Sequence, residues 1–126
     1  MFAHILTCLL LWLQPSPHNV GRLTELVAIA ADVASTDATE VEAEELSAIC
    51  VHESRCHLAA IGDGGKSLGP WQVQGGRHDA AGALARLRWS VGICGVGGLA
   101  LYAGARHCGD VPRVVRSLLD PTIARE

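Results

Sequence analysis

Between Ile61 and Gly76 the chain reads IGDGGKSLGPWQVQGG, with glycine at six of sixteen positions. Each glycine in a helix interior costs about 1 kcal/mol relative to alanine, and Pro70 removes a backbone donor besides. A helix cannot run through this stretch. The short run Trp71–Gln74 suits a strand, and the whole segment suits a loop carrying a small β-hairpin. The stretch therefore divides the chain into two parts.

Both parts carry helical patterns. Gly21–Ala34 sets Leu23, Leu26, Val27, Ile29, Ala30 and Val33 largely on one stripe. After a polar gap at Ser35–Asp37, Thr39 stands three residues before Glu42, the spacing of a capping box, and opens a helix over Glu40–Arg55. Glu40, Glu42, Glu44 and Glu45 crowd its N-terminal half, where the helix dipole favours negative charge. Beyond the glycine-rich stretch, Asp79 can cap a helix to about Ile93, Gly98–Ala105 reads as another, and Asp110 with Pro112 starts a last one to about Leu119. Aromatic residues make up 4% of the 126, which favours small, closely packed helices over a β-sandwich. The expected class is α+β, mainly α, in one domain with a single core.

The amino end, residues 1–20, is set apart from a domain over 21–126. Ile5–Leu13 (ILTCLLLWL) is a nine-residue apolar run followed by the breaker-rich QPSPHN. It reads either as the core of an export signal or as the first helix of the fold. No Lys or Arg precedes the run, the first being Arg22, and no A-x-A site follows it. The expectation leans towards export and an extracytoplasmic location. A bilayer needs about 20 apolar residues, so no membrane span is expected. With 18% charged residues and a net charge of −3, the chain has no basic field to hold nucleic acid.

Setting aside Cys8, four cysteines remain, Cys50, Cys56, Cys94 and Cys108. They allow three disulfide connectivities or four reduced thiols. Cys50 and Cys56 can pair only if the helix ends between them, because six helical residues span about 9 Å and bridged Cα atoms lie about 4.4–6.8 Å apart. Cys94 with Cys108 is the easier pair.

Cys50–His57 reads CVHESRCH. Zinc proteases space two histidines four apart on one helix face, whereas His52 and His57 are five apart, which separates them by about 140° around a helix. A zinc held by Cys50, His52, Cys56 and His57 would need the chain to fold back at Arg55. Neither metal reading is favoured over histidines exposed at a helix end. Glu53 is the unusual residue. Helical projection puts it with Leu46, Ile49 and Cys50 within an arc of about 80°, so a carboxylate shares the apolar stripe. Burying an unpaired charge costs several kcal/mol. Such a group reaches water, pairs with a cation such as Arg55 or Arg86, or sits in a cleft with its pKa raised, the state a general acid needs.

From Glu53 onwards the sequence resembles a known family. Glu53-Ser54 ends a helix, Gly65-Lys66-Ser67-Leu68-Gly69-Pro70-Trp71-Gln72-Val73 forms the glycine-rich hairpin, and Leu101-Tyr102-Ala103-Gly104 lies further on. In order and spacing this is similar to the lysozyme-like lytic transglycosylases and goose-type lysozymes, with their helix ending in Glu-Ser, hairpin G-x-x-x-G-L-M-Q-[IV] and later [AL]-Y-N-[AS]-G. The likeness covers about residues 40–108. Pro70-Trp71 replaces Leu-Met, and Ala103 replaces an Asn that helps hold substrate in relatives.

The resemblance implies a lysozyme-like domain with the hairpin beside a cleft, and cleavage of the β-1,4 bond between N-acetylmuramic acid and N-acetylglucosamine in peptidoglycan glycan strands. Glu53 becomes the general acid and base. Gln72 and Tyr102 become cleft residues, Ser54 a support for the carboxylate, and Ser67 a hairpin hydroxyl near substrate. Trp71 either stacks on a sugar or packs in the core. Asp63 either positions water, as an aspartate does in goose-type lysozymes, or makes its turn. The transglycosylase route, closing a 1,6-anhydro ring, is the expected chemistry; hydrolysis with Asp63, or a non-catalytic glycan-binding module, is the alternative. The family acts without metal or cofactor, and a monomer is expected.

Overall fold

The computed structural model describes residues 1–95. Among them are four helices, α1 (Phe2–Leu13), α2 (Val20–Ala34), α3 (Glu40–Ser54) and α4 (Ala80–Cys94), and three short strands, β1 (Ile61–Gly62), β2 (Ser67–Leu68) and β3 (Val73–Gln74). The strands form an antiparallel sheet in the order β1-β2-β3, with Ile61 opposite Leu68 and Ser67 opposite Gln74. The described residues are thus mainly helical with a small sheet. None of their helices is long and apolar enough to cross a membrane. The expected helices at Gly98–Ala105 and near Pro112–Leu119 lie outside the described residues.

Local signals account for the helix limits. At the start of α3, the Thr39 hydroxyl accepts from the Glu42 N–H at 3.2 Å and the Glu42 carboxylate accepts from the Thr39 N–H at 2.9 Å, so both halves of the capping box are made. Arg88 of α4 donates to the same Glu42 at 2.8 Å. That hydrogen bond is the main reason the Glu42 carboxyl is lowered to about 2. Asp79 caps α4 through the Gly82 N–H at 3.0 Å, and Asp32 of α2 accepts from the Ala80 N–H at 2.9 Å. A cap and a helix-to-helix contact are made at the same point.

α3 is the central helix. Leu46, Ile49 and Cys50 are buried as projected, but so are Ala43, Ser47, Ala48 and Val51, because α3 is in contact with α1, α2 and α4. Leu26, Ile29 and Val33 of α2 and Leu84 and Leu87 of α4 complete this core. The apolar run at the amino end packs here too, with Ile5 and Leu9 of α1 fully buried. It forms a helix in contact with α2 and α3. Of the four glutamates near the start of α3, Glu45 differs: its Oε2 is buried with no hydrogen-bond partner among the described residues, and burial pushes its carboxyl up.

The helix ends because Arg55 and Cys56 both turn left-handed, with φ of 52° and 59°. This reversal brings the Cys50 and Cys56 Cα atoms to 4.7 Å and joins them in a disulfide. The condition set by helix geometry is met, and the bridge removes both thiolates from any zinc site. The expected Cys94–Cys108 pair involves a residue outside those described. Closing a loop this short removes about 2 kcal/mol of unfolded-state entropy. The double variant Cys50→Ala/Cys56→Ala should lose about that much stability in urea titration. An unchanged midpoint would mean that the turn holds without its bridge.

Candidate active site

Glu53 lies in the last turn of α3, half-buried, and opens on a cleft of about 590 Å³. The other lining residues are Glu25, Ser54, His57, Gln72 and the segment from Ala59 to Gly62. Loss of hydration raises the Glu53 carboxyl above its ordinary 4.5; the negative charge of Asp63 adds to this and Arg86 opposes it. A carboxyl shifted in this way keeps its proton at a higher pH, as a general acid must.

Gln72 is the second group that the sheet brings to this cleft. Its backbone is left-handed, with φ of 51°, and its Nε2 donates to the Gly69 carbonyl at 2.9 Å. The amide oxygen lies over Gly62, where a Cβ would come within 2.2 Å of it. A side chain at Gly62 would therefore push the end of the Gln72 side chain from its place in the cleft.

Three of the expected site residues make contacts within the fold. Trp71 is 1% exposed and its indole N–H donates to the Leu46 carbonyl of α3 at 2.9 Å, so it is a core residue with no face to offer a sugar. Ser54 does not support the carboxylate. Its hydroxyl donates to the Pro70 carbonyl at 2.6 Å and accepts from the His57 N–H at 3.1 Å, tying the end of α3 to the hairpin. Ser67 is buried, donates to Asp63 Oδ2 and accepts from Gln74 Nε2 at 3.2 Å, so its hydroxyl belongs to the sheet. Tyr102 lies outside the described residues.

Asp63 has a left-handed φ of 50° at the start of the β1-to-β2 turn and accepts from Ser67 and from Gln74, the latter at 3.3 Å. The Ser67 hydrogen bond, with that of Gln74, lowers its carboxyl below 3.8. It is an exposed turn residue and is absent from the lining of the Glu53 cleft. Its charge nonetheless reaches Glu53.

One acidic residue of the cleft was not expected from the sequence. Glu25 projects from α2 and is gripped by Arg22, with its Oε2 accepting from the Leu58 N–H at 2.8 Å. Burial pushes the Glu25 carboxyl up, but the Leu58 N–H and the Arg22 guanidinium outweigh it and hold it below 4.5. Arg22 also donates to the carbonyls of Arg55 and, at 2.8 Å, Cys56. These contacts clamp the disulfide turn behind Glu53 onto α2. The only trace in the sequence is an Arg and a Glu three apart on one helix, a pattern too common to be informative. His57 is exposed at the cleft rim as expected, while His52 is half-buried and its imidazole is pushed below 6.5 by burial.

No family model, curated protein or solved structure matches this chain.

Proposed function

We propose that this chain cleaves the glycan strands of peptidoglycan between N-acetylmuramic acid and N-acetylglucosamine, as a lytic transglycosylase with Glu53 as its general acid and base. The observation that carries the reading is the desolvated Glu53 carboxyl at the end of α3, with the hairpin's Gln72 lining the same cleft. The ordered likeness of Glu53-Ser54 and the Gly65–Val73 hairpin to that family supports it from the sequence.

Glu53 gives its proton to the glycosidic oxygen as the bond to the muramic C1 breaks. The sugar's own N-acetyl group steadies the positive charge at that carbon. The glutamate then takes the proton of the muramic 6-hydroxyl, whose oxygen bonds to C1 and closes the 1,6-anhydro ring. Glu53 ends protonated as it began, and no water is consumed. Partial loss of hydration at Glu53 favours the first step, since the carboxyl must stay protonated until substrate is bound.

Hydrolysis is less favoured because neither nearby carboxylate is placed as a water-holding base. Asp63 is committed to Ser67 and Gln74, and Glu25 to Arg22 and Leu58. Asp63→Asn retains an oxygen that can accept the Ser67 hydroxyl and should keep most of the activity. Mass analysis of digested peptidoglycan should then find fragments ending in 1,6-anhydromuramic acid, each lighter than its hydrolysed counterpart by one water, about 18 Da. Reducing ends, together with a loss beyond about a hundredfold in Asp63→Asn, would make the chain a hydrolase instead. Retention on peptidoglycan without any cleavage would make it a binding module.

A further inference from the structure

Among the described residues, two carboxyl groups line the cleft: Glu53 from α3 and Glu25 from α2. Burial pushes both up, but at Glu25 the Leu58 N–H and the Arg22 guanidinium outweigh it. The cleft therefore pairs a carboxyl that keeps its proton with a carboxylate that does not. An inverting glycosidase uses such a pair to split its bond with water, one group protonating the leaving oxygen and the other taking a proton from the water. Charge alone does not separate that chemistry from ring closure. What separates them is whether the Glu25 oxygens are open to a water.

Both oxygens are engaged. Oε2 accepts from the Leu58 N–H at 2.8 Å, while Oε1 accepts from Arg22 Nη1 and lies 3.3 Å from His57 Nδ1. Arg22 is fixed in its turn, because Nη2 donates to the Arg55 carbonyl and Nη1 also donates to the Cys56 carbonyl at 2.8 Å. Its side chain is only 12% exposed. A guanidinium anchored through both terminal nitrogens cannot swing off Glu25 without releasing the disulfide turn. Its charge also stabilises the ionised carboxylate, which makes Glu25 a poor base.

We propose that Arg22 determines the product of the reaction: by occupying Glu25 it denies water a base, and capture of the muramic C1 is left to the substrate's own 6-hydroxyl. This rests on the cleavage proposed for Glu53. Without Arg22, the Leu58 N–H still anchors Glu25 in the cleft, but Oε1 gains an open acceptor site. Glu53 then protonates the glycosidic oxygen as its bond to C1 breaks, a water oxygen bonds to C1, and the proton of that water passes to Glu25. One water is consumed and the product carries a reducing end. Glu53 ends ionised and Glu25 protonated, and exchange with solvent resets both.

The test digests peptidoglycan with the full chain and reads the share of reducing ends by mass. Wild type should give anhydro ends. Arg22→Gln removes the charge but keeps an amide able to donate to the Arg55 and Cys56 carbonyls. Since a positioned base contributes about 10²–10⁴-fold, its share of reducing ends should rise at least about tenfold. Arg22→Lys, which keeps a cation beside Glu25, should return the share to the wild-type level, as should the double variant Arg22→Gln/Glu25→Gln, which has no base to release. A merely structural role for Arg22 would lower the rate without changing the product ratio. An unchanged ratio in folded Arg22→Gln, or reducing ends that persist in the double variant, overturns the role of Arg22 and leaves that of Glu53 standing. If thermal melts find Arg22→Gln unfolded, NMR titration of wild type carrying 13C-labelled glutamate decides. Glu25, assigned by its absence from the Glu25→Gln spectrum, should titrate below 4.5; a value at or above that means that Arg22 does not hold it, and the proposal fails. Reducing ends from wild type, or no cleavage at all, remove the transglycosylase reading and this proposal with it.

Discussion

Glu53→Gln is expected to abolish glycan cleavage while leaving the fold intact. The amide matches the acid in shape, but it cannot move a proton, and general acid–base catalysis alone contributes about 10²–10⁴-fold. The substitution should also raise the melting temperature at neutral pH. With its pKa raised in the folded chain, Glu53 costs nothing below its ordinary 4.5, where both states are protonated; the cost sets in as pH rises from there through the folded-state value. Glutamine removes it. The same shift gives the activity an alkaline limb, because the protonated acid is lost as pH rises. Asp63→Asn, by removing a charge that helps raise the Glu53 pKa, should move that limb towards acid, and Arg86→Gln should move it the other way. Cleavage within about tenfold of wild type in Glu53→Gln, with matching circular dichroism, would rule out its role as the proton donor.

Trp71→Ala should be the most damaging substitution to stability. The side chain is fully buried and bonded to Leu46 of α3, and truncating such a residue costs about 3–5 kcal/mol, a large share of the roughly 5–15 kcal/mol that holds a domain together. Because Trp71 stands between Pro70, which Ser54 holds, and Gln72 at the cleft, the variant should also lose activity well below its unfolding temperature. Denaturant titration checks the first effect and a temperature series of cleavage rates the second. A full-strength fold with weakened glycan binding is the result that a sugar-stacking tryptophan would give, and it would overturn the core assignment.

Some of this molecule was readable along the chain. The start of α3 follows from Thr39 and Glu42, the start of α4 from Asp79, and the hairpin from the glycines between Ile61 and Gly76. Each of these signals acts within about four residues of itself, through caps, turns and backbone freedom. The rotation that puts Glu53 on the same side of α3 as Leu46 and Cys50 is equally local, since helical period alone sets it.

Docking decided the rest. The order Ser-Leu-Gly-Pro-Trp-Gln does not say which hydroxyl or ring turns inward, and only the seating of the hairpin on α3 sends Trp71 to the Leu46 carbonyl and Ser54 to the Pro70 carbonyl. The Arg22 clamp joins residues more than thirty positions apart, and no pattern along the chain can specify such a partner. The desolvation of Glu53 has the same origin. Period places the carboxylate on a face, but water leaves that face only when the disulfide turn and the hairpin close around it, and that is a property of the packed elements rather than of any segment alone.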